Sequence, residues 1–290
     1  MSNFRISLLV VFLVASVSWT LRAQTGEEEM TESSILDDTT GYMDDIVDRN
    51  LVPEQRFLSY EPIRESDITW QKRIWRVIDV REKMNLPFMY PNRAFFAILI
   101  DAASKGDMKI FKEEDFKKPM TGEQLDKLLH STDTTSVWNP DTYLEELKIV
   151  TSDIDYKDIQ SFRVKEMWYF DKESSRLNVR ILGIAPIKDE KDDAGNIKYS
   201  GPMFWIYYPE LRKILSKERV FNDKNDISPG TWADVMEGRF FSSYIIKSSN
   251  VQDLRLNDIF KGENDGVKLL LESERIKNEL LNFEHDLWVY

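Results

Sequence analysis

Residues 75–91 read Trp-Arg-Val-Ile-Asp-Val-Arg-Glu-Lys-Met-Asn-Leu-Pro-Phe-Met-Tyr-Pro, and this stretch decides how the N-terminal half of the chain is interpreted. On a 3.6-residue period its charged side chains fall on one side of a helix and its apolar side chains on the other. Ser66 is a residue type that caps helix starts, and the prolines at 87 and 91 would end a helix. We therefore predict a helix over residues 66–85, with an apolar face formed by Trp70, Ile74, Val77, Ile78 and Met84.

Two residues depart from this helical pattern. Arg81 falls within the apolar stripe, and Trp75 falls among the polar residues Gln71, Asp79 and Glu82. Arg and Trp are the residue types that most often anchor protein interfaces. We predict that Trp75 and Arg81 belong to an interface. The alternative for Arg81 is a buried ion pair with a carboxylate of its own domain, and the alternative for Trp75 is a place in the core.

The patterns along the chain predict an α+β fold with a helical N-terminal half, an antiparallel β meander in the middle and a long C-terminal helix. Thr121 and Gln124 have the spacing of a capping box at a helix start. Runs rich in β-branched and aromatic residues favour strands, with turns at residues 171–174 and 195–196. We predict helices over residues 92–105, from 121, over 209–218 and over 232–237, and strands over residues 108–112, 144–150, 162–170, 177–187 and 203–208.

The terminal helix, predicted over residues 267–288, has two apolar sides. One side includes Ile276 and Leu280, and the second includes Leu270, Leu281 and Trp288. A single core needs only one apolar face. The second face therefore predicts either a contact between two layers of the same domain or a contact with a partner. We name Leu281 and Trp288 as candidate interface residues.

Several further segments resemble the GldN family of gliding-motility proteins, also called PorN. The resemblance covers most of the chain from about Pro53 onward, and its aromatic segments occur in the family's order. Besides residues 75–91, the segments are Lys-Glu-Met-Trp-Tyr-Phe-Asp at 165–171, Arg-Ile-Leu-Gly-Ile-Ala-Pro at 180–186, Trp-Ile-Tyr-Tyr-Pro-Glu-Leu-Arg at 205–212 and Phe-Phe-Ser-Ser-Tyr-Ile-Ile-Lys at 240–247.

The resemblance implies a periplasmic structural subunit of the type IX secretion system. In this family the subunits form a large ring with an outer-membrane lipoprotein, GldK (PorK). The ring is linked to the periplasmic part of the inner-membrane motor protein GldM (PorM). The partners implied here are therefore GldK, GldM and further copies of the chain itself. The family brings no catalytic residues that could be carried over to this chain. We predict no cofactor and no metal site.

The first residues predict an exported protein. Arg5 precedes an apolar run, and Ala23 ends a segment of signal-peptide form. An uncleaved anchor is the alternative, although the run is short for a membrane span. Residues 24–52 are predicted to be a flexible acidic leader, because they contain too few large apolar residues to offset the entropy of ordering. Residues 53–290 are predicted to form the ring-subunit domain, with a sub-boundary near 131–142 as an open alternative.

Charge and cysteine content narrow the function further. The formal net charge is −12, which argues against binding to nucleic acid. The absence of cysteine excludes disulfides, thiol nucleophiles and the lipidated cysteine of a bacterial lipoprotein. We expect a periplasmic protein. The resemblance further implies that its lipoprotein partner holds it near the outer membrane.

The sequence offers little for catalysis. Its two histidines, His130 and His285, lack the spacing of a metal pair, and no Gly-x-Ser-x-Gly or phosphate-binding glycine loop is present. Acidic pairs such as Glu145 and Glu146 fit a solvated surface better than a glycosidase cleft. We predict a non-enzymatic ring subunit. The alternatives are a protein that binds or cleaves the cell wall and a soluble export chaperone.

Overall fold

The computed structural model describes residues 57–139, 144–154, 156–191, 197–225, 230–260 and 265–287, all within the unit Pro53–Tyr290. The side chains of residues 131–153, 190–198 and 265 are outside this description. The predicted signal peptide (1–23), the acidic leader (24–52), the turn at 195–196 and Trp288 also lie outside it. These predictions therefore stay predictions.

The main element is a seven-stranded sheet in which every pairing is antiparallel. Six strands run in the order β2-β8-β6-β5-β1-β9, and β7 pairs with the far part of β6. A separate two-stranded sheet is formed by β3 and β4. The strands are β1 (Ile68–Asp79), β2 (Ile110–Phe111), β3 (His130–Asn139), β4 (Leu144–Asp153), β5 (Ser161–Asp171), β6 (Arg176–Lys191), β7 (Ile197–Pro202), β8 (Trp205–Tyr207) and β9 (Tyr244–Ser248).

Strand β1 corrects the predicted helix over residues 66–85, and with it the helical N-terminal half. Seven of its twelve residues are β-branched or aromatic, which favours a strand. Residues 74–78 are all buried because β1 lies between β5 and β9 with both faces covered. Such a run of buried residues also fits a helical period by chance, so periodicity alone misled the prediction. Ser66 lies in the short 3₁₀ turn Glu65–Asp67, and a second 3₁₀ segment, Lys83–Met89, follows β1.

Six α-helices complete the described fold. The capping box at Thr121 is present, and Thr231 forms a second one at the start of α4. The predicted helices over 92–105, from 121, over 209–218 and over 232–237 are therefore confirmed, within a few residues at their ends. A further 3₁₀ turn spans Tyr156–Asp158. The helices are α1 (Phe95–Ser104), α2 (Gly122–Leu129), α3 (Tyr208–Leu215), α4 (Trp232–Glu237), α5 (Leu256–Ile259) and α6 (Asp265–Asp286).

One face of the sheet carries the helices. The main core joins Ile78, Phe162 and Ile184 of the strands to side chains of α1, α2, α3 and α4. A second, smaller cluster joins Ile74 and its neighbour Ile245 in β9 to α5 and α6. This helix-covered face accounts for most of the buried apolar surface, and it fixes where α6 lies.

The opposite face of the sheet has a different cover. Trp75 packs there with Ala185 and Trp205, beneath Phe111 and Phe116. The backbone of Gly183 lies so close to Phe116 that an added Cβ atom would be 2.4 Å from the ring. The loop that contains Phe116 is therefore seated directly on the sheet.

Candidate functional site

Helix α6 turns an apolar surface away from the rest of the protein. We define the α6 outer face as Val267, Leu270, Leu271 and Leu281, which are 63, 59, 65 and 61 % exposed. On a helical period these four residues lie within about 100° of one another, with Glu274 and Asn278 between the first three and the last. Single exposed apolar residues are common, but four on one helical face mark an interaction surface.

The inner face of the same helix is well anchored. Ile276 and Leu280 are buried against Ile74 and Ile245, and the ring of Phe283 stacks on Trp70 with centroids 4.6 Å apart. The buried hydroxyl of Ser273 accepts a hydrogen bond from the backbone N–H of Ile245, at 2.7 Å. The outer face is therefore presented by a helix whose position is fixed by its own core contacts.

A cleft of about 340 Å³ borders Leu281, between α6 and the segment that follows α4. Its walls combine apolar side chains with three cations and one carboxylate. We call it the arginine cleft; it is lined by Arg76, Trp168, Arg239, Phe241, Ser242, Ser243, Lys277, Leu280, Leu281 and Glu284. The mixture of aromatic, leucine and arginine side chains is the composition found at the centres of protein interfaces.

A buried ion cluster lies at the base of this cleft. The carboxylate of Glu166 is fully buried and accepts hydrogen bonds from Arg76 Nε at 3.1 Å, Trp168 Nε1 at 2.9 Å and Arg239 Nη2 at 3.3 Å. Arg239 Nη1 lies 2.9 Å from Glu166 Oε1, an ion pair that is too poorly aligned for a hydrogen bond. Burial lowers the pKa of Arg76, against the opposing effect of Glu166. Two guanidiniums thus share one carboxylate.

Arg239 is held in an unusual backbone conformation. Its φ is +56°, in the left-handed region that costs a non-glycine residue about 1–2 kcal/mol. The residue directly follows Gly238 at the end of α4, and its side chain reaches Glu166 from there. The ion cluster therefore ties the end of α4 to strands β1 and β5, and so fixes one wall of the cleft.

The four residues predicted for an interface are found in different settings. Trp75 is only 6 % exposed, so the prediction that its side chain lies on a polar surface is wrong. Arg81 is in the turn after β1, where it pairs with Asp79 through Nε at 2.9 Å and through Nη2; its side chain is 69 % exposed. The predicted alternative was a buried ion pair with a carboxylate of the same domain; the partner is such a carboxylate, but the pair lies on the surface and is not buried. Leu281 belongs to the α6 outer face, and Trp288 lies outside the described residues.

The sequence analysis missed Glu166, Arg76 and Arg239 as a unit. Their separations along the chain are 90 and 73 residues, and only the pairing of β1 with β5 brings the first two together. The one local signal was Glu166 itself, a carboxylate within a strand that also contains Phe162, Val164 and the run Met-Trp-Tyr-Phe at 167–170. A buried carboxylate there requires a cationic partner, which the sequence does not identify.

Comparison with known proteins decides the family. The family model described as gliding motility associated protein GldN matches residues 63–289, which is most of the chain. The chain belongs to the GldN family. Membership associates it with gliding motility and the type IX secretion system, and this family is known for a structural component and not for an enzyme. No curated protein gives a match.

Two further findings concern the described part of the chain. None of its helices is both long enough and apolar enough to cross a bilayer. In the same residues, no three His, Asp or Glu side chains come together in a way that could hold a metal ion.

Proposed function

We propose that this member of the GldN family is a structural subunit of a periplasmic ring that it forms with the outer-membrane lipoprotein GldK (PorK), and that the ring contacts the periplasmic part of the motor protein GldM (PorM). The observation that supports this role is the α6 outer face. It offers four exposed leucine and valine side chains on a rigidly anchored helix. A subunit of this kind acts by shape and surface complementarity and makes or breaks no bonds.

We assign the α6 outer face to the contact with the lipoprotein. The chain contains no cysteine, so a lipid anchor on a cysteine of its own is not available to it. In this proposal the outer-membrane lipoprotein holds the chain at the membrane through a protein surface. The centre of a stable protein interface is apolar with a few arginines, which is what Leu281 and the adjoining arginine cleft provide.

The test is to place a charge on this face without disturbing the core. The double variant Leu270→Asp, Leu281→Asp puts two carboxylates on side chains that are 59 and 61 % exposed. We expect co-purification with the co-expressed lipoprotein to fall at least tenfold, because each buried, unpaired charge at an interface costs several kcal/mol. The midpoint of thermal unfolding of the isolated chain should change by less than about 2 °C, since exposed substitutions have small effects on stability.

The matched control is Val251→Asp, which adds a carboxylate to a fully exposed residue in the loop after β9. It should leave co-purification unchanged. Undiminished binding of the double variant would overturn the assignment of this face. If the wild-type chain does not bind the lipoprotein and instead sediments with insoluble peptidoglycan, the ring proposal itself is overturned.

A further inference from the structure

The arginine cleft has more hydrogen-bond donors at its base than the fold uses. A guanidinium carries five N–H donors and no acceptor. Among the described residues, the guanidinium of Arg76 donates one hydrogen bond and that of Arg239 donates one, both to Glu166. Arg76 is only 6 % exposed, so little water reaches it. Buried guanidiniums are normally paired, because desolvation of an unpaired charge is costly.

The buried charges at the base of the cleft do not balance. The carboxylate of Glu166 faces two guanidiniums, those of Arg76 and Arg239, so the base carries one positive charge in excess. On the rim, the exposed residues Lys277 and Glu284 add one charge of each sign. Among the described ion pairs, Glu284 pairs with neither arginine. Burial lowers the pKa of Arg76, and the charge of Arg239 lowers it further. The base of the cleft is therefore short of one negative charge.

The two guanidiniums are held in place by the fold itself. Their central carbon atoms lie 5.8 and 5.3 Å from the ring centre of Trp168. The indole of Trp168 in turn donates to Glu166, at 2.9 Å. Arg76 is fixed within strand β1, and Arg239 is fixed by its left-handed backbone after α4. A binding group therefore meets ordered donors, which lowers the entropy cost of binding.

The charge and the walls of the cleft select a carboxylate on a protein side chain. Guanidiniums bind carboxylates through well-aligned N–H donors, and a single carboxylate would balance the base. A phosphate group would bring about −1.5 to −2 charges and leave a buried excess of negative charge. Much of the remaining wall is apolar, formed by Trp168, Phe241, Leu280 and Leu281. A hydrated free anion would leave that apolar surface in contact with water, whereas a side chain of a partner protein covers it.

We propose that the arginine cleft binds one Asp or Glu side chain of the protein that covers the α6 outer face. Leu281 belongs to both surfaces, so one partner segment can cover the leucines and reach the two arginines. A volume of about 340 Å³ is small for a ligand pocket and suits one side chain with part of its neighbour. The inference rests on the proposed function in one respect, which is that the lipoprotein carries this side chain.

The first test supplies the missing carboxylate from within the chain. Ser243 lines the cleft directly before β9, so Ser243→Glu places a carboxylate there and Ser243→Gln adds the same shape without the charge. We expect the midpoint of thermal unfolding to be about 2–6 °C higher for the Glu variant, because a charged hydrogen bond forms. The difference should shrink as salt rises from about 0.05 to about 0.5 M. A Glu variant that melts at or below the temperature of the Gln variant would overturn the proposal.

The second test asks whether this internal carboxylate competes with the partner. Dissociation constants are measured for both variants with the lipoprotein purified in detergent. Ser243→Glu should bind at least about tenfold more weakly than Ser243→Gln, because its carboxylate occupies the cleft and repels the incoming one. Equal binding of the two variants would overturn this inference and leave the proposed function standing. Failure of the unaltered chain to bind the lipoprotein would overturn the proposed function, and this inference with it.

A third measurement identifies the partner's side chain by double-mutant cycles. Each Asp and Glu of the lipoprotein is replaced by Asn or Gln and tested against the unaltered chain and against Arg239→Met. One replacement should weaken binding to the unaltered chain at least about tenfold, and this loss should be at least about fivefold smaller with Arg239→Met. The matched control is Lys118→Met, in the loop on the opposite face of the sheet, which should keep the full loss. Circular dichroism checks that each variant is folded, and Ser243→Glu replaces Arg239→Met in the cycle if the latter is not. Losses of equal size in both backgrounds for every replacement would contradict the proposal.

Discussion

The exchange Glu166→Gln tests whether the buried ion cluster holds the cleft together. Glu166 is fully buried and its carboxylate accepts hydrogen bonds from Arg76, Trp168 and Arg239. Glutamine keeps the shape of the side chain but removes the charge, which leaves two guanidiniums without a counter-ion. Breaking a buried pair by removing one partner costs about 3–5 kcal/mol.

The expected loss in free energy of unfolding can be converted into a shift of the midpoint of thermal unfolding. For a domain of this size, 1 kcal/mol corresponds to about 2–4 °C in the midpoint of thermal unfolding. We therefore expect Glu166→Gln to lower the midpoint of thermal unfolding, measured by circular dichroism, by about 6–20 °C. The free energy of unfolding in urea should fall by about 3 kcal/mol or more. The control is Glu113→Gln, which removes an exposed pair with Lys118 at 2.8 Å and should cost less than about 1 kcal/mol.

A third variant separates the lost charge from the lost hydrogen bonds. Arg76→Met combined with Glu166→Gln removes the most buried of the uncompensated cations, so the double variant should be more stable than Glu166→Gln alone. A free energy of unfolding of Glu166→Gln within about 0.5 kcal/mol of that of the unaltered chain would show that the ion cluster does not hold the cleft together. A double variant that is less stable than Glu166→Gln would show the same.

Three further predictions test the sheet and the N-terminal segment. Trp75→Ala should reduce the free energy of unfolding in urea by about 3–5 kcal/mol, because it empties a buried site; a loss below about 1 kcal/mol would place this side chain outside the core. Gly183→Ala should cost about 1–3 kcal/mol, since its new methyl group would meet Phe116, and adding Phe116→Ala should abolish the clash term in a double-mutant cycle. Burial, together with Glu237, raises the pKa of Tyr60 above its ordinary value of 10.0. Urea titrations between about pH 8 and 11 should therefore show the free energy of unfolding falling as the pH rises past about 10, and Tyr60→Phe should flatten that fall. Identical pH profiles of the two proteins would contradict the buried position of the Tyr60 hydroxyl.

Apart from residues 66–85, the predicted helices lie where the sequence placed them. Thr121 and Gln124 mark a helix start through their own side chains, and both make the expected contacts. The predicted turn at Asp171 follows the same logic, since its carboxylate accepts from the backbone N–H of Glu173 and Ser174. Signals of this kind are local. They depend on residues two or three apart, which a sequence shows directly.

Strand β1 could not be predicted in the same way. It is buried on both faces, so its apolar residues do not alternate, and the side on which each residue lies is decided by β5 and β9. Trp75, which departed from the pattern of the predicted helix, is a normal inward residue of a strand. The loop that covers it contains Phe116, which is 41 residues further along the chain. The error was one of tertiary context, which periodicity does not contain.

The terminal helix is the intermediate case. Two apolar sides on α6 were visible in the sequence, and the structure buries the side with Ile276 while it leaves the side with Leu281 exposed. What could not be predicted is the neighbouring arginine cleft, because Arg76 and Arg239 reach it from distant strands and turns. The proposed partner-binding surface was therefore partly predictable: Leu270 and Leu281 were named from the sequence, whereas Val267, Leu271 and the charged residues of the cleft were not.

The central claim is that this chain acts as a repeated structural unit, and particle size tests it most directly. Negative-stain imaging and light scattering of the chain co-expressed with its lipoprotein partner should show a closed ring of many copies of both proteins, far larger than any one-to-one complex. The variant Leu270→Asp, Leu281→Asp should yield monomers under the same conditions. The structural role would be contradicted if the unaltered chain remained a single copy beside its partner. It would also be contradicted if the chain released soluble fragments from peptidoglycan.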